Sequence, residues 1–319
     1  MKTQVLLLAV LLAHAAVGWG LTPSLSSLLE NSACDYNDLE NIVDCSAVED
    51  VSEVTDAMNI LSEAGFNDFG SFLLSDNPRV TSLPEDLFGD VQFRRIAITN
   101  NANLVIENDF LGAARDVVLQ IDLSSPQMAS IPPLRSSSVT KYTQNAEALE
   151  HISKDALAGM PNLESLTLKK AGNNQNGLTI DFGAFATLKK LEALDMEGSR
   201  LSGFNVTSGA FHFDSPALKT VQLGGIYMAN VFPSSFEGFT ADTTLTLMLN
   251  YPITIGNFFN VFNSGASVVV QETTPCSCNL AWIRLSSFLQ QASISCIVRQ
   301  DFVSLANVPE SSFLHCCGA

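Results

Sequence analysis

The sequence predicts an α/β solenoid with a parallel sheet and a stapled cap at each end. Three observations carry this expectation. A short apolar motif recurs along most of the chain, the cysteines are confined to its two ends, and the chain opens on an apolar leader.

The motif is clearest over 69–91, FGSFLLSDNPRVTSLPEDLFGDV. Phe69, Phe72, Leu74 and Asn77 give LxxLxLxxN, and Leu83, Pro84, Phe88 and Val91 complete an LPxxxF segment. It returns as Phe93, Ile96, Ile98, Asn101, Ile106 and Phe110, then as Val118, Ile121, Leu123 and Ile131. A fourth unit is degraded at its start, where SSVTKYTQN leaves Tyr142 and Asn145 in frame, and it recovers at Leu149, Ile152, Leu157 and Met160. Later units are marked by Leu163, Leu166 and Leu168; Leu191, Leu194, Met196 and Leu201; Leu218, Val221, Leu223 and Ile226; Leu245, Leu247 and Asn250; and a last strand by Val268 and Val270. Units start near 69, 93, 118, 137, 163, 191, 218, 242 and 265, about nine in all. Most spacings fall within the 20–29 residues of the leucine-rich repeat, which is the pattern these residues spell.

The physics behind the pattern predicts a leucine-rich-repeat horseshoe. In LxxLxL the alternate residues of a short strand point inward. One unit cannot bury its own apolar face, so neighbours stack, share a core and pair their strands in parallel. Asn at the ninth position caps the turn by bonding neighbouring backbone groups. Asn77, Asn101, Asn145 and Asn250 fit that role, whereas Pro126, Ala171, Ser199 and Ile226 replace it, so the turns should be irregular. Phe88, Phe110, Phe185, Phe211 and Phe236 recur on the convex side as a packing spine.

An open solenoid exposes its core at both ends and needs caps. At the C-terminal end TPCSCNLAWI follows the last strand, with Cys296, Cys316 and Cys317 further on. This set resembles the C-terminal flanking module of extracellular leucine-rich-repeat proteins. The resemblance implies that Cys276 pairs with Cys296, that Cys278 pairs with Cys316 or Cys317, and that Trp282 and Ile283 cover the last repeat. Zinc binding favours CxxC pairs, and a single CSC fits that poorly. At the N-terminal end CDYNDLENIVDC, from Cys34 to Cys45, resembles a reduced N-terminal flanking module with one bridge instead of two. Val51, Val54, Met58 and Leu61 within 49–64 have helical spacing and belong to the same cap. Seven cysteines leave one over, Cys316 or Cys317, either as a free thiol or as a bridge to a second chain.

The resulting layout is a signal peptide over 1–20, an N-terminal cap over 21–68 with a Cys34–Cys45 bridge, repeats over 69–274 and a cysteine-rich cap over 275–319. In the leader, Lys2 precedes an apolar run from Val5 to Leu12 and then small residues, with cleavage near Gly18 or Gly20. The expected compartment is extracellular, where the cysteines form bridges. Asn205-Val206-Thr207 is then an N-glycosylation acceptor. The net charge of −17 becomes −18 once Lys2 is removed. Such an acid excess argues against nucleic acid and anionic membranes as partners, both of which need clustered Lys and Arg. No later segment is apolar enough to insert in a membrane.

Chemistry is hard to find in this sequence. His151, His212 and His315 lie in no HExxH, GxSxG has no counterpart, and there is neither a P-loop nor GxGxxG. The expectation is a non-enzymatic protein with no catalytic residue, no cofactor and no metal. The candidate binding surface is the outward side of the sheet, concave in a horseshoe. Read from the register, it carries Arg94, Arg95, Thr99, Asn100, Gln120, Asp122, Ser124, Lys141, Glu164, Lys169, Lys170, Glu192, Asp195, Glu197, Lys219, Gln222, Thr244 and Thr246. Basic patches at Arg94–Arg95 and Lys169–Lys170 alternate with an acidic one at Glu192, Asp195 and Glu197. Mixed charge favours a protein partner over a uniform polyanion.

The short Cys34–Cys45 cap, the helical stretch before the first repeat and the late PCSCNLAWI cap are together similar to a family of secreted arthropod proteins, those likened to the non-catalytic subunit of oplophorid shrimp luciferase. That resemblance implies an accessory role beside a small secreted oxidising enzyme, and it carries over no catalytic residue. The two functional expectations are therefore a free recognition or scaffold protein and an accessory subunit of a secreted enzyme complex.

Overall fold

The computed structural model describes residues 24–172, 177–206, 208–224, 233–248, 258–298 and 300–318. The predicted signal peptide, Ile226, Asn250 and the side chains of Asn205 and Cys317 lie outside the described residues. Thirteen strands make up the principal sheet, most of them parallel. They fall into two compact units, which meet in sequence near 128–143.

The first unit opens with α1 (Leu25–Leu29) and the antiparallel pair β1 (Asp35–Asn37) and β2 (Ile42–Asp44). The Cys34–Cys45 bridge closes this hairpin, and both sulfurs are fully buried. Next comes α2 (Val51–Glu63), whose Asp50 caps the first turn by accepting from the Ser52 amide at 2.8 Å. Of the residues read at helical spacing, Val54, Met58 and Leu61 are buried, together with Ala57, and Val51 is half-buried. Gly65, at φ 81°, ends the helix in a left-handed turn. Parallel strands follow, β3 (Asp68–Ser75), β4 (Gln92–Thr99) and β5 (Gln120–Ser124), and β6 (Lys141–Asn145) lies next to β5 at the division between units.

Within β3 and β4 the burial follows the motif. Phe69, Phe72 and Leu74 point inward, and Phe93, Ile96 and Ile98 pair beside them in register. Full burial of such side chains contributes about 1.5–3 kcal/mol each. Phe88 sits against Phe72, Phe93 and Phe110 at ring separations of 4.8, 5.0 and 6.0 Å, so the phenylalanine spine exists in this unit.

The fourth motif unit is shifted from its expected frame. Val139, Tyr142 and Gln144 are the buried residues there, and Asn145 is a half-buried outward residue at the end of β6. The amide of Gln144 instead donates to the Ser130 carbonyl at 3.1 Å. Asn145 was a misleading marker because a polar Gln, its burial compensated by hydrogen bonding, occupies the inward position normally given to leucine.

The second unit holds β8 (Ser165–Lys169), β10 (Ala193–Met196), β13 (Thr220–Gly224), β15 (Thr244–Met248) and β16 (Ser267–Pro275), parallel and in that spatial order. Apart from the principal sheet, β7 (His151–Ile152), β9 (Leu178–Ile180) and β11 (Leu201–Val206) form a parallel three-stranded sheet. A further two-stranded sheet pairs β12 (Phe211–His212) with β14 (Phe236–Glu237). Phe211 stacks between Phe185 and Phe236 at 6.0 and 5.1 Å. Gly238 (φ 84°) is required here, because a Cβ would lie 1.8 Å from the Phe213 carbonyl oxygen.

The C-terminal cap contains more sheet than the sequence suggested. After α3 (Phe259–Asn263) and β16 comes α4 (Ala281–Arg284). Then β17 (Ala292–Val298) adds another parallel strand on β16, and β18 (Asp301–Ser304) turns back antiparallel on β17. Cys276 is bridged to Cys296 and Cys278 to Cys316. Ile283 is fully buried, while the Trp282 ring packs on Phe262 at 5.3 Å and Phe288 at 5.7 Å. Six of the seven cysteines are thus paired, with Cys316 rather than Cys317 bridged to Cys278. The parallel strands with inward leucines, and the few short helices, are compatible with a solenoid-like α/β fold.

Candidate functional site

The outward residues of the parallel strands are placed by the same alternation that buries the leucines. In the first unit Arg95 and Asp122 lie on this side. The Arg95 guanidinium donates through Nε and an Nη to Asp122 Oδ2 at 3.0 and 2.9 Å, and the Gln120 amide donates to the same oxygen at 2.8 Å. Arg94 reaches Asp68 at 3.6 Å, with both side chains largely exposed. Lys141, the first residue of β6, is exposed.

In the second unit, register puts Thr167, Asp195, Gln222, Thr246 and Val269 in one row across β8, β10, β13, β15 and β16. Lys169 lies 3.7 Å from Asp195 and 3.5 Å from Glu197. Glu192 and Lys219 sit one residue before β10 and β13, at the leading edge of the sheet, and pair at 2.6 Å. Lys170, just past β8 at φ 58°, approaches Glu147 at 4.0 Å. Toward β15 and β16 the row loses its charge. Gln222, Thr244, Thr246, Met248, Ser267 and Val269 are half-buried, and the Gln222 amide points at Met248 Sδ at 3.6 Å.

Within each unit, cations that sequence set apart from acids are therefore paired with them. Lys169 forms a cluster with Asp195 of β10 and Glu197 just past it, and Arg95 is matched by Asp122. Strands lie about 4.8 Å apart, so lateral neighbours pair more readily than sequence neighbours spread. Exposed pairs of this kind contribute only about 0–1 kcal/mol each, so the fold does not depend on them.

The histidines lie elsewhere. The His151 ring contacts Asp181 Oδ1 through Nε2 at 2.9 Å, and this bond holds the Asp181 carboxyl below its ordinary range. His212 has carboxylates on both ring nitrogens, Glu237 at 2.8 Å and Asp214 at 3.0 Å. The bond to Glu237 raises the imidazole most, burial opposes it, and the bond to Asp214 adds a lesser upward effect. Lys189 Nζ donates to Asp214 at 2.6 Å, and this bond and His212 hold Asp214 low. A general base keeps one ring nitrogen open toward its nucleophile. His212 has both engaged, so it reads as a clip between β12 and β14.

Among the described residues no helix is long and apolar enough to cross a membrane. A scan against known protein families returns no match for the chain.

Proposed function

We propose that this chain is a secreted leucine-rich-repeat protein that binds a protein partner through the outward side of its sheet and catalyses no reaction itself. The observation that carries this reading is the row of outward side chains from Thr167 to Val269, set at sheet spacing on strands whose other side is entirely core. A row of polar groups bounded by a charged cluster at Lys169, Asp195 and Glu197 and by an uncharged stretch at Gln222, Thr246 and Met248 suits a protein surface with both polar and apolar patches. The three bridges support an oxidising, extracellular setting. Glycosylation at Asn205 and removal of the leader belong to the same reading. So do the full count of about nine repeats and the division into caps and repeats.

The second reading is a non-catalytic accessory subunit of a secreted enzyme complex of the luciferase, or luciferin monooxygenase, type. It rests on the end caps and their spacing. Mass spectrometry of the protein isolated gently from its source, without reductant, separates the two. A single stoichiometric small companion supports the accessory subunit, and a monomer or a Cys317-linked dimer supports the free recognition protein. Turnover of a substrate by the pure recombinant chain, lost on a point substitution, would overturn both.

A further inference from the structure

The three bridges are not equally protected. Cys34 and Cys45 are both fully buried, and Cys276 is half-buried against a fully buried Cys296. Cys278 is exposed and Cys316 half-buried, and the bridge between them joins two short surface turns. Thiol attack on a disulfide needs access to a sulfur, so of the three the Cys278–Cys316 bridge is the most open to exchange.

A third group faces this bridge. His315 Nε2 lies 3.8 Å from Cys278 Sγ and 3.5 Å from Cys316 Sγ. In a tetrahedral zinc site, bond lengths of about 2.3 Å to sulfur and 2.0 Å to imidazole nitrogen place N and S on the order of 3.5 Å apart. The imidazole therefore already stands at ligand spacing from both sulfurs, and their ligand atoms lie within 4.8 Å of one another. While the bridge is closed neither sulfur is a thiolate and no such site exists.

We propose that the Cys278–Cys316 bridge is a redox-controlled element whose reduction creates a zinc-class metal site from Cys278, Cys316 and His315. A dithiol supplies two electrons and two protons: the S–S bond breaks, two thiols form, and the dithiol closes to its own disulfide. Metal entry then displaces the two thiol protons, and the neutral imidazole gives its lone pair. Water fills the fourth position, as in open three-ligand zinc sites. Opened sulfurs need to part only to about 3.8 Å in a tetrahedral pair, a movement within reach of side chains on two exposed turns.

The oxidised full-length protein is treated with graded dithiothreitol under native conditions, then alkylated and peptide-mapped. Cys278 and Cys316 are expected to label well before the other two pairs. Simultaneous or later labelling would overturn the first half of the proposal. After reductant removal, zinc and cadmium binding are followed by native mass spectrometry and by cadmium–thiolate absorption. The partially reduced protein should bind one ion and the oxidised protein none, and His315→Ala, a surface change, should weaken binding at least roughly tenfold. Binding unchanged in His315→Ala, or absent from the reduced wild type, contradicts the site. The same measurement on Cys317→Ser assigns the thiolates: retained binding supports the three named ligands, and lost binding rules against them.

Discussion

Ser199 stands to Leu168 as Asn101 stands to Leu74. The Ser199 hydroxyl donates to the Leu168 carbonyl at 2.7 Å and accepts from the Ala171 amide at 3.1 Å. The Asn101 amide donates to the Leu74 carbonyl at 3.0 Å, and its oxygen accepts from the Asn77 amide at 2.9 Å. In both cases the ninth residue of one unit bonds the sixth carbonyl and ninth amide of the unit before it. A hydroxyl, being both donor and acceptor, can satisfy the two groups that a carboxamide satisfies.

Ser199→Ala and Asn101→Ala should each leave a buried carbonyl and a buried amide without a partner. A loss of about 1–3 kcal/mol is expected from each, read as a lower denaturant midpoint at unchanged slope. A loss confined to Asn101 would show that Ser199 does not act as a turn cap.

His212 gives the chain a pH dependence of defined sign. Its folded pKa lies above the ordinary 6.5, so its contribution is fully present below that value and is lost as pH rises through the raised one. The thermal midpoint of the wild type should therefore exceed that of His212→Gln by more near pH 5.5 than near pH 8.5. Asp214 runs oppositely: held below 3.8, its contribution is present above that value and is lost as pH falls through its lowered one. An equal gap at both pH values would contradict the clip between Glu237 and Asp214.

The N-terminal bridge closes a hairpin that carries β2, the strand paired to β3. Replacing Cys34 and Cys45 together by Ser should cost about 2–4 kcal/mol, measured as a drop in the thermal midpoint without reductant. No drop would mean that α2 and β3 hold this cap without the covalent link.

Removing charge from the outward face should leave the fold nearly intact. Arg95→Ala is expected to change stability by at most about 1 kcal/mol, since Arg95 is 53% exposed even though Asp122 is only 16% so. A larger loss, seen by denaturant unfolding, would make the Arg95–Asp122 pair structural and remove it from the proposed binding face.

Much of this architecture was legible because inward apolar residues repeat at a fixed period. Phe69, Phe72 and Leu74 announce β3 as plainly as Val221 and Leu223 announce β13, and Val54 with Met58 and Leu61 announces α2. The parts that escaped lack that signal. β1 and β18 bury almost none of their residues, and β17 buries only Ile294 and Cys296, so no LxxLxL marks them. In the fourth unit a buried Gln144 broke the apolar pattern and drew the reading toward Asn145. On the candidate face, Arg95 and Lys169 were visible as cations, but their partners Asp122 and Asp195 are neighbours only across strands, a relation that needs the register of each pair.

The most direct test reverses the outward face in each unit separately. One variant carries Arg95→Glu with Asp122→Lys, the other Lys169→Glu with Asp195→Lys, and His212→Gln, in the separate β12–β14 sheet, serves as control. Each is expressed as a tagged, secreted chain beside the source's own secreted proteins, and co-purifying protein is quantified by native mass spectrometry. A stoichiometric companion should be retained by the wild type and the control and lost from at least one face variant. A companion held equally by every chain, or no companion at all, would contradict a protein-binding role for this face.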